Sequence, residues 1–290
     1  MMLHFYARLL VAVTFVLVVA GGLVTSTGSG LAVPDWPLSY GSWMPPMVGG
    51  VFYEHLHRIV GAVVGLMTLV LALWLLFSEK RAWLRWLGIG ALAAVVGQGI
   101  LGGMTVLFLL PAPISILHAC LAQTFFALVV CLAFFTSREW VCPSPLSSPR
   151  VAGGGNRRGM KLLAMTAALI YAQLILGAGV RHTENTFVMI SHIAGAFFVL
   201  IHVVLVLLFV FRRGADTATM RYPALFLGVV FIAQIALGLG AFMYTAMLEE
   251  RIQPTAGKIF FLTGHQTLGA LLLAAAVVLT LRTYRKEGLA

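Results

Sequence analysis

The sequence predicts an all-α integral membrane protein, with eight transmembrane helices arranged as two pseudo-symmetric four-helix bundles. Three observations carry that prediction. The first is composition: the 290 residues are 61% hydrophobic and only 10% charged, against about a quarter charged in soluble domains. The second is length. A membrane helix needs about 20 mostly apolar residues, and such runs recur at 7–26, 54–77, 84–104, 113–136, 160–180, 187–211, 222–245 and 258–282. The third is internal repetition. "QGILGG" (98–103), "QLILGAG" (173–179) and "QIALGLG" (234–240) close spans three, five and seven, and in each case the next span opens with a histidine.

The charged residues order these spans. Net charge is +10, but the basic residues flank apolar runs, so they set topology and do not mark a nucleic-acid surface. Of the 19 Lys and Arg, only Arg58, Arg181, Arg251 and Lys258 fall on one side; the rest fall on the other. By the positive-inside rule both termini are cytoplasmic and the Pro-, Gly- and Trp-rich loop 27–52 faces outward. The N-terminal apolar run has no small-residue cleavage site before a soluble domain and reads as the first span. "SPLSSPRVAGGGNRRG" (144–159) is a linker that divides the chain into 1–140, a linker 141–159, and 160–290. Cys120, Cys131 and Cys142 show neither CxxC nor metal spacing, which argues against a disulfide framework.

Each Gln of the repeats precedes a Gly by four positions, which places both on one helix face. Span one ends in "VVAGGLV", the same pattern without the Gln. Read alone, these glycines are a close-packing device. The chain thus reads as four helical hairpins, or two copies of a two-hairpin unit.

Eight histidines occur. His4 is terminal and His182 falls in an outer loop, so both read as solvated. His202, deep in span six, reads as a polar residue satisfied between helices. His57, His118, His192 and His265 each stand near the start of an even-numbered span, hence at similar depth near one membrane face. Each is followed four positions later by a small residue, Gly61, Ala122, Ala196 or Gly269, which leaves room beside the imidazole for something flat. Zinc or copper sites recruit a third or fourth protein ligand, and three of these four histidines have no Cys, Asp or Glu beside them. A heme needs only axial ligands from opposing helices. Pairing within a half gives His57 with His118 and His192 with His265. A proton-relay or transport role is the competing reading of the same histidines.

"YEHLHRIVG" (53–61) separates the two halves. His55 and His57 point about 200° apart on a helix and cannot serve one site. Glu54 and His57, three apart, share a face. The equivalent positions 115, 189 and 262 are Ser, Met and Leu, so only the N-terminal pair has a carboxylate. Two readings of Glu54 stand: chemistry beside a porphyrin, or an ion pair with Arg58 or the outer loop. Arg58, at the outer interface, is a candidate partner for a heme propionate, as are Arg181, Arg251 and Lys258. Asp35, in "VPDWP", either shapes the outer loop over the N-terminal site or caps a turn.

The chain resembles the heme A synthase family on three features: "GGLVTSTGSGLAVPDWPLSYG" (21–41), "EHLHR" (54–58), and one histidine opening each later even span. The resemblance covers nearly the whole length; its first two motifs are specific. It implies that Glu54, His57 and His118 form a catalytic site for heme O, and that His192 and His265 ligate a heme b. It implies oxidation of a heme O methyl to a formyl, giving heme A for cytochrome c oxidase. Implied partners are heme O, heme O synthase, cytochrome c oxidase subunits and membrane lipid, with homo-oligomers permitted. No Arg- and Ser-rich mitochondrial leader is visible, so the implied location is a bacterial inner membrane. Two features depart from the family: the first outer loop lacks the cysteine pair of some members, and Ile193 stands where an arginine often follows the histidine. Competing classes are a bis-histidine cytochrome b that only transfers electrons, a transporter, and an assembly factor without heme.

Overall fold

The computed structural model describes residues 1–141, 155–183, 185–212, 218–247 and 254–286. Most of the 141–159 linker, together with Cys142 and Arg251, lies outside them. All eight expected spans are helices: α1 (Met2–Ser26), α2 (Gly49–Ser78), α3 (Ala82–Leu107), α4 (Ala112–Phe135), α6 (Gly155–Thr183), α7 (Thr186–Arg212), α8 (Ala218–Phe242) and α9 (Ala256–Lys286). Each is long and apolar enough to cross a membrane. Helix is what lipid demands, since every backbone polar group must be satisfied within the segment. Most of the helices outrun the expected spans by several residues, because hydropathy marks only the lipid-depth core of a helix.

A short helix, α5 (Arg138–Val141), is invisible to hydropathy. It turns Trp140 under the end of the bundle, 9% exposed, with its ring 4.7 Å from that of Phe135. Arg285 of α9 donates to the Trp140 carbonyl at 3.0 Å, and Arg282 pairs with Glu139 at 3.0 Å. The end of α4 is thereby fastened to the end of α9.

In the first half α1 packs on α2 and α4, and α3 on α2 and α4; in the second α6 packs on α7 and α9, and α8 on α7 and α9. Each half is a closed ring of four helices. Leu10, Val64, Leu71, Leu84 and Leu132 fill the first; Leu163, Val206, Leu227 and Leu279 fill the second. The halves meet where α1 and α4 face α6 and α9, around Val18, Phe126, Val130, Ala270 and Ala274. Small residues on α9 bring the backbones close, as membrane packing requires in the absence of a hydrophobic drive between helices.

The α2–α3 turn is locked by charge. Arg81 donates to both Glu79 oxygens, at 2.9 and 2.8 Å, and to the Phe135 carbonyl at 3.1 Å. These donors hold the Glu79 carboxyl down at about 2, from an ordinary 4.5. A depressed carboxylate contributes stability above its unfolded value and loses it as pH falls toward the folded one. Glu79→Gln is therefore expected to lower the thermal midpoint in detergent at neutral pH, with the gap to wild type closing between pH 4.5 and 2. A gap independent of pH would contradict the assignment.

Candidate functional site

Two helix-to-helix approaches define the site in each half. All four span histidines stand near the end of the bundle that carries residues 27–48, six to nine residues inside their helices by position (118 − 112, 192 − 186, 57 − 49 and 265 − 256). The matched depth expected from the sequence is present to within one turn. Each imidazole lies against a glycine of the preceding helix. A Cβ on Gly21, Gly102, Gly177 or Gly238 would stand 3.1, 3.2, 3.2 or 2.8 Å from Cε1 of His57, His118, His192 or His265. Any side chain at these glycines would push the ring aside.

The residue four positions before each glycine completes the device. The His265 Nδ1 lies 3.0 Å from the Gln234 carbonyl. The carbonyls of Leu17, Gln98 and Gln173 stand beside His57, His118 and His192 in the same register, although their Nδ1 atoms have no hydrogen-bond partner. At His265 the carbonyl at Nδ1 fixes the tautomer that leaves Nε2 free to ligate a metal, whereas the His118 Nε2 lies 3.4 Å from the Gln98 amide nitrogen. The QxxxG repeats are thus the cradle of the histidines, not only a packing device. The expected room four residues after the imidazole is filled at Gly269, by Leu174 and Gln234, whereas Gly61 has only Leu17 Cδ1, 3.8 Å from where it would carry a Cβ.

The structure brings the rings of one expected pair, His192 and His265, together. The His192 and His265 rings are 6.1 Å apart between centroids, with planes at 88°. His57 and His118 stand on α2 and α4, each against its own glycine. Among the described residues no three His, Cys, Asp or Glu side chains gather at one point. A heme iron fits these donors. Metal–imidazole bonds of about 2 Å on opposite faces place ring centroids about 6 Å apart, and the glycine cradles keep the rings from turning away.

Glu54 is 3% exposed, and both of its oxygens are engaged. Oε2 accepts from the Val33 N–H at 2.9 Å and Oε1 from Arg58 at 2.6 Å. Arg58 also donates to the Asp35 and Leu38 carbonyls, both at 2.7 Å. One carboxylate and one guanidinium thus clasp loop residues 33–38 to the first turns of α2. The loop lies over the first half: the Trp36 ring packs on Gly103, next to the glycine that backs His118. Asp35 caps a turn, accepting from the Tyr40 and Gly41 N–H groups at 2.7 and 2.8 Å. The Gly41 N–H, then that of Tyr40 and the Arg58 charge, hold its carboxyl below the usual range.

The remaining histidines find other places. His55 faces away from His57, as expected, with Nδ1 2.8 Å from Ser39 Oγ. His202, expected to be satisfied between helices, instead has its Nδ1 2.8 Å from the Phe198 carbonyl one turn back in its own helix. Two expectations of solvated histidines are corrected. His182 lies in the last turn of α6, half-buried, because that helix outruns its apolar stretch. His4 is half-buried, with Nδ1 2.9 Å from the Ala133 carbonyl, because α1 begins at Met2. Arg181 donates to Ser26 Oγ at 3.0 Å, and Thr263 donates to the same oxygen at 2.9 Å, across the seam between the halves. Cys120 and Cys131 are free thiols.

The clasp makes a specific prediction. Lysine keeps the charge of Arg58 but not its planar fork, and a hydrogen bond to a charged group contributes about 1.5–3 kcal/mol. Arg58→Lys is expected to speed proteolytic cleavage within 27–48 at least about tenfold, with helix content unchanged. An unchanged cleavage rate would show that the loop is held by other contacts.

Comparison with known proteins places this arrangement. Residues 48–195 match the family model described as cytochrome oxidase assembly protein. A protein named heme A synthase from Alkalihalophilus pseudofirmus is 32% identical over 178 residues, 59% of this chain and 57% of its own length. One of the same name from Symbiobacterium thermophilum is 34% identical over 179 residues, 59% and 56% of the two chains. Another, from Halalkalibacterium halodurans, is 27% identical over 269 residues, 82% and 87%. The chain thus spans little more than half the length of the first two relatives and most of the third. With half of its residues inside the family model, the chain belongs to the heme A synthase family of cytochrome oxidase assembly proteins.

Proposed function

We propose that this chain is a heme A synthase, oxidising a methyl group of heme O to a formyl group for cytochrome oxidase. The observation that carries the reading is the pairing of two imidazoles per half at one depth, each cradled by a glycine; relatives named heme A synthase supply the substrate. In this reading the half 1–140 holds heme O between His57 and His118, with Glu54 as its catalytic carboxylate. The half 160–290 holds a resident heme b on His192 and His265, and 141–159 joins them. The loop end faces outward and both termini face the cytoplasm of a bacterial inner membrane.

The chemistry follows from these roles. An unactivated methyl is converted by successive hydroxylation and loss of water, overall methyl plus water to formyl with removal of four electrons and four protons; side chains cannot take up those electrons, and a bound heme would pass them to an external electron acceptor. His57 and His118 orient the porphyrin. Helix walls open to lipid admit a substrate whose tail is apolar. Where water supplies the oxygen, each hydroxylation would release protons along with those electrons, and Glu54 is the carboxylate placed one turn from His57 to accept them. In the closed arrangement its oxygens rest on Val33 N–H and Arg58, so proton transfer begins with the clasp loosened. Arg58 acts on the loop first, and on a propionate only through donors that the loop releases.

A second reading is a bis-histidine cytochrome b that transfers electrons without porphyrin chemistry. The full engagement of Glu54 by Arg58 and Val33 favours it, since an ion pair accounts for a buried carboxylate without catalysis. One experiment separates the two. The full chain is expressed in a host that makes heme O, and the bound hemes are extracted and identified by mass. Heme A is expected with wild type, whereas Glu54→Gln is expected to retain heme and lose at least about a hundredfold of the conversion, the usual scale of a lost acid–base group. Heme b alone, with heme O available, would establish the cytochrome reading. Heme A at the wild-type rate from Glu54→Gln would remove the catalytic role.

A further inference from the structure

The four histidine cradles share one register, and one of them differs in chemistry. Four residues before the cradle glycine stand Leu17, Gln98, Gln173 and Gln234. Each lies one helical turn from the imidazole, on the side away from the loop end and toward the middle of the helices. In the C-terminal half this floor carries two amides. Gln234 leaves its Oε1 buried without a partner, and Gln173 packs its amide on Gly195 of the facing helix. In the N-terminal half Gln98 donates to the His118 carbonyl at 2.9 Å and, like Gln234, leaves its Oε1 buried without a partner, so the halves differ at one floor position only. The other floor position is Leu17, whose Cδ1 lies 3.8 Å from where Gly61 would carry a Cβ.

The two edges of a heme O are unlike. One carries two carboxylates, and the opposite edge carries the long apolar tail. Charge is costly at membrane depth, so the carboxylate edge points to the loop end, where Arg58, Arg181 and Lys258 stand. The tail edge then points the other way, onto the floor. Hydrocarbon laid over amides cuts them off from hydrogen-bond partners, a penalty that leucine does not impose.

We propose that Leu17 is the specificity-determining residue that admits the prenylated porphyrin to the N-terminal site, and that the two floor amides, Gln173 and Gln234, exclude it from the C-terminal site. The inference rests on the reading of the halves as heme O and heme b sites. It deepens that reading by naming what tells the two apart, since the histidines and glycines are the same in both. A heme without the tail has only small groups on that edge and makes no demand on the floor.

The test uses the full-length protein from a host that makes both heme B and heme O, with hemes extracted, identified by mass and counted per chain. Leu17→Gln is expected to lower heme O plus heme A about tenfold while heme b stays stoichiometric, which also reports that the chain has folded. Gln173→Leu is expected to raise heme O per chain by placing it in the second site. Wild-type heme O plus heme A in Leu17→Gln, or no gain in Gln173→Leu, would overturn the proposal. If wild type itself binds neither heme O nor heme A, the functional reading fails and the proposal falls with it. If wild type binds them and the variants match it, only the proposal fails.

Discussion

The close approach of an imidazole to a glycine backbone is the contact on which the rest of the arrangement depends. It occurs once per hairpin, with nearly the same separation each time. Without a Cβ at Gly21, Gly102, Gly177 or Gly238, the histidine ring enters the wall of the preceding helix, and at His265 a carbonyl one turn away meets its Nδ1. The same absence of side chain lets the two helices come close, which in lipid is what holds them together. Packing and ligand placement are therefore one device, and a change at any of these glycines disturbs both.

Much of this was legible in the sequence, because bilayer thickness turns composition into geometry. Apolar runs of fixed length fixed the helices, and basic residues grouped the histidines at one end. The QxxxG spacing was visible too, but its meaning was not. Sequence alone offered two sets of small residues, the glycines before each histidine and a Gly or Ala four positions after it, and only helix rotation decides which faces the ring. Helix α5 was hidden because four residues carry no periodicity; its position comes from Trp140 packing on Phe135 and from Arg285 reaching across the bundle. His182 and His4 were misplaced for a related reason: hydropathy ends where a span leaves the lipid, while the helix continues for another turn.

Glu54 shows the limit most clearly. Its spacing from His57 put it on the ligand side of α2, and its spacing from Arg58 put it within reach of an ion pair. Both are properties of one helix turn. The loop adds a contact that neither spacing shows, because the Val33 N–H takes the second oxygen, and contacts separated by 21 residues are not readable from local pattern. The result is a carboxylate held under a lid by the cation that follows the histidine. Asp35 does for the loop tip what Glu54 does for its base: each spends both oxygens on backbone or guanidinium donors.

The central claim is that His192 and His265, 6.1 Å apart, are the two axial ligands of one heme. Electron paramagnetic resonance of the oxidised, purified full-length protein tests it most directly. The account predicts a low-spin ferric signal of bis-imidazole type that disappears, with its heme, in His265→Ala. A heme-replete protein showing only high-spin iron, or keeping the low-spin signal in that variant, would contradict it.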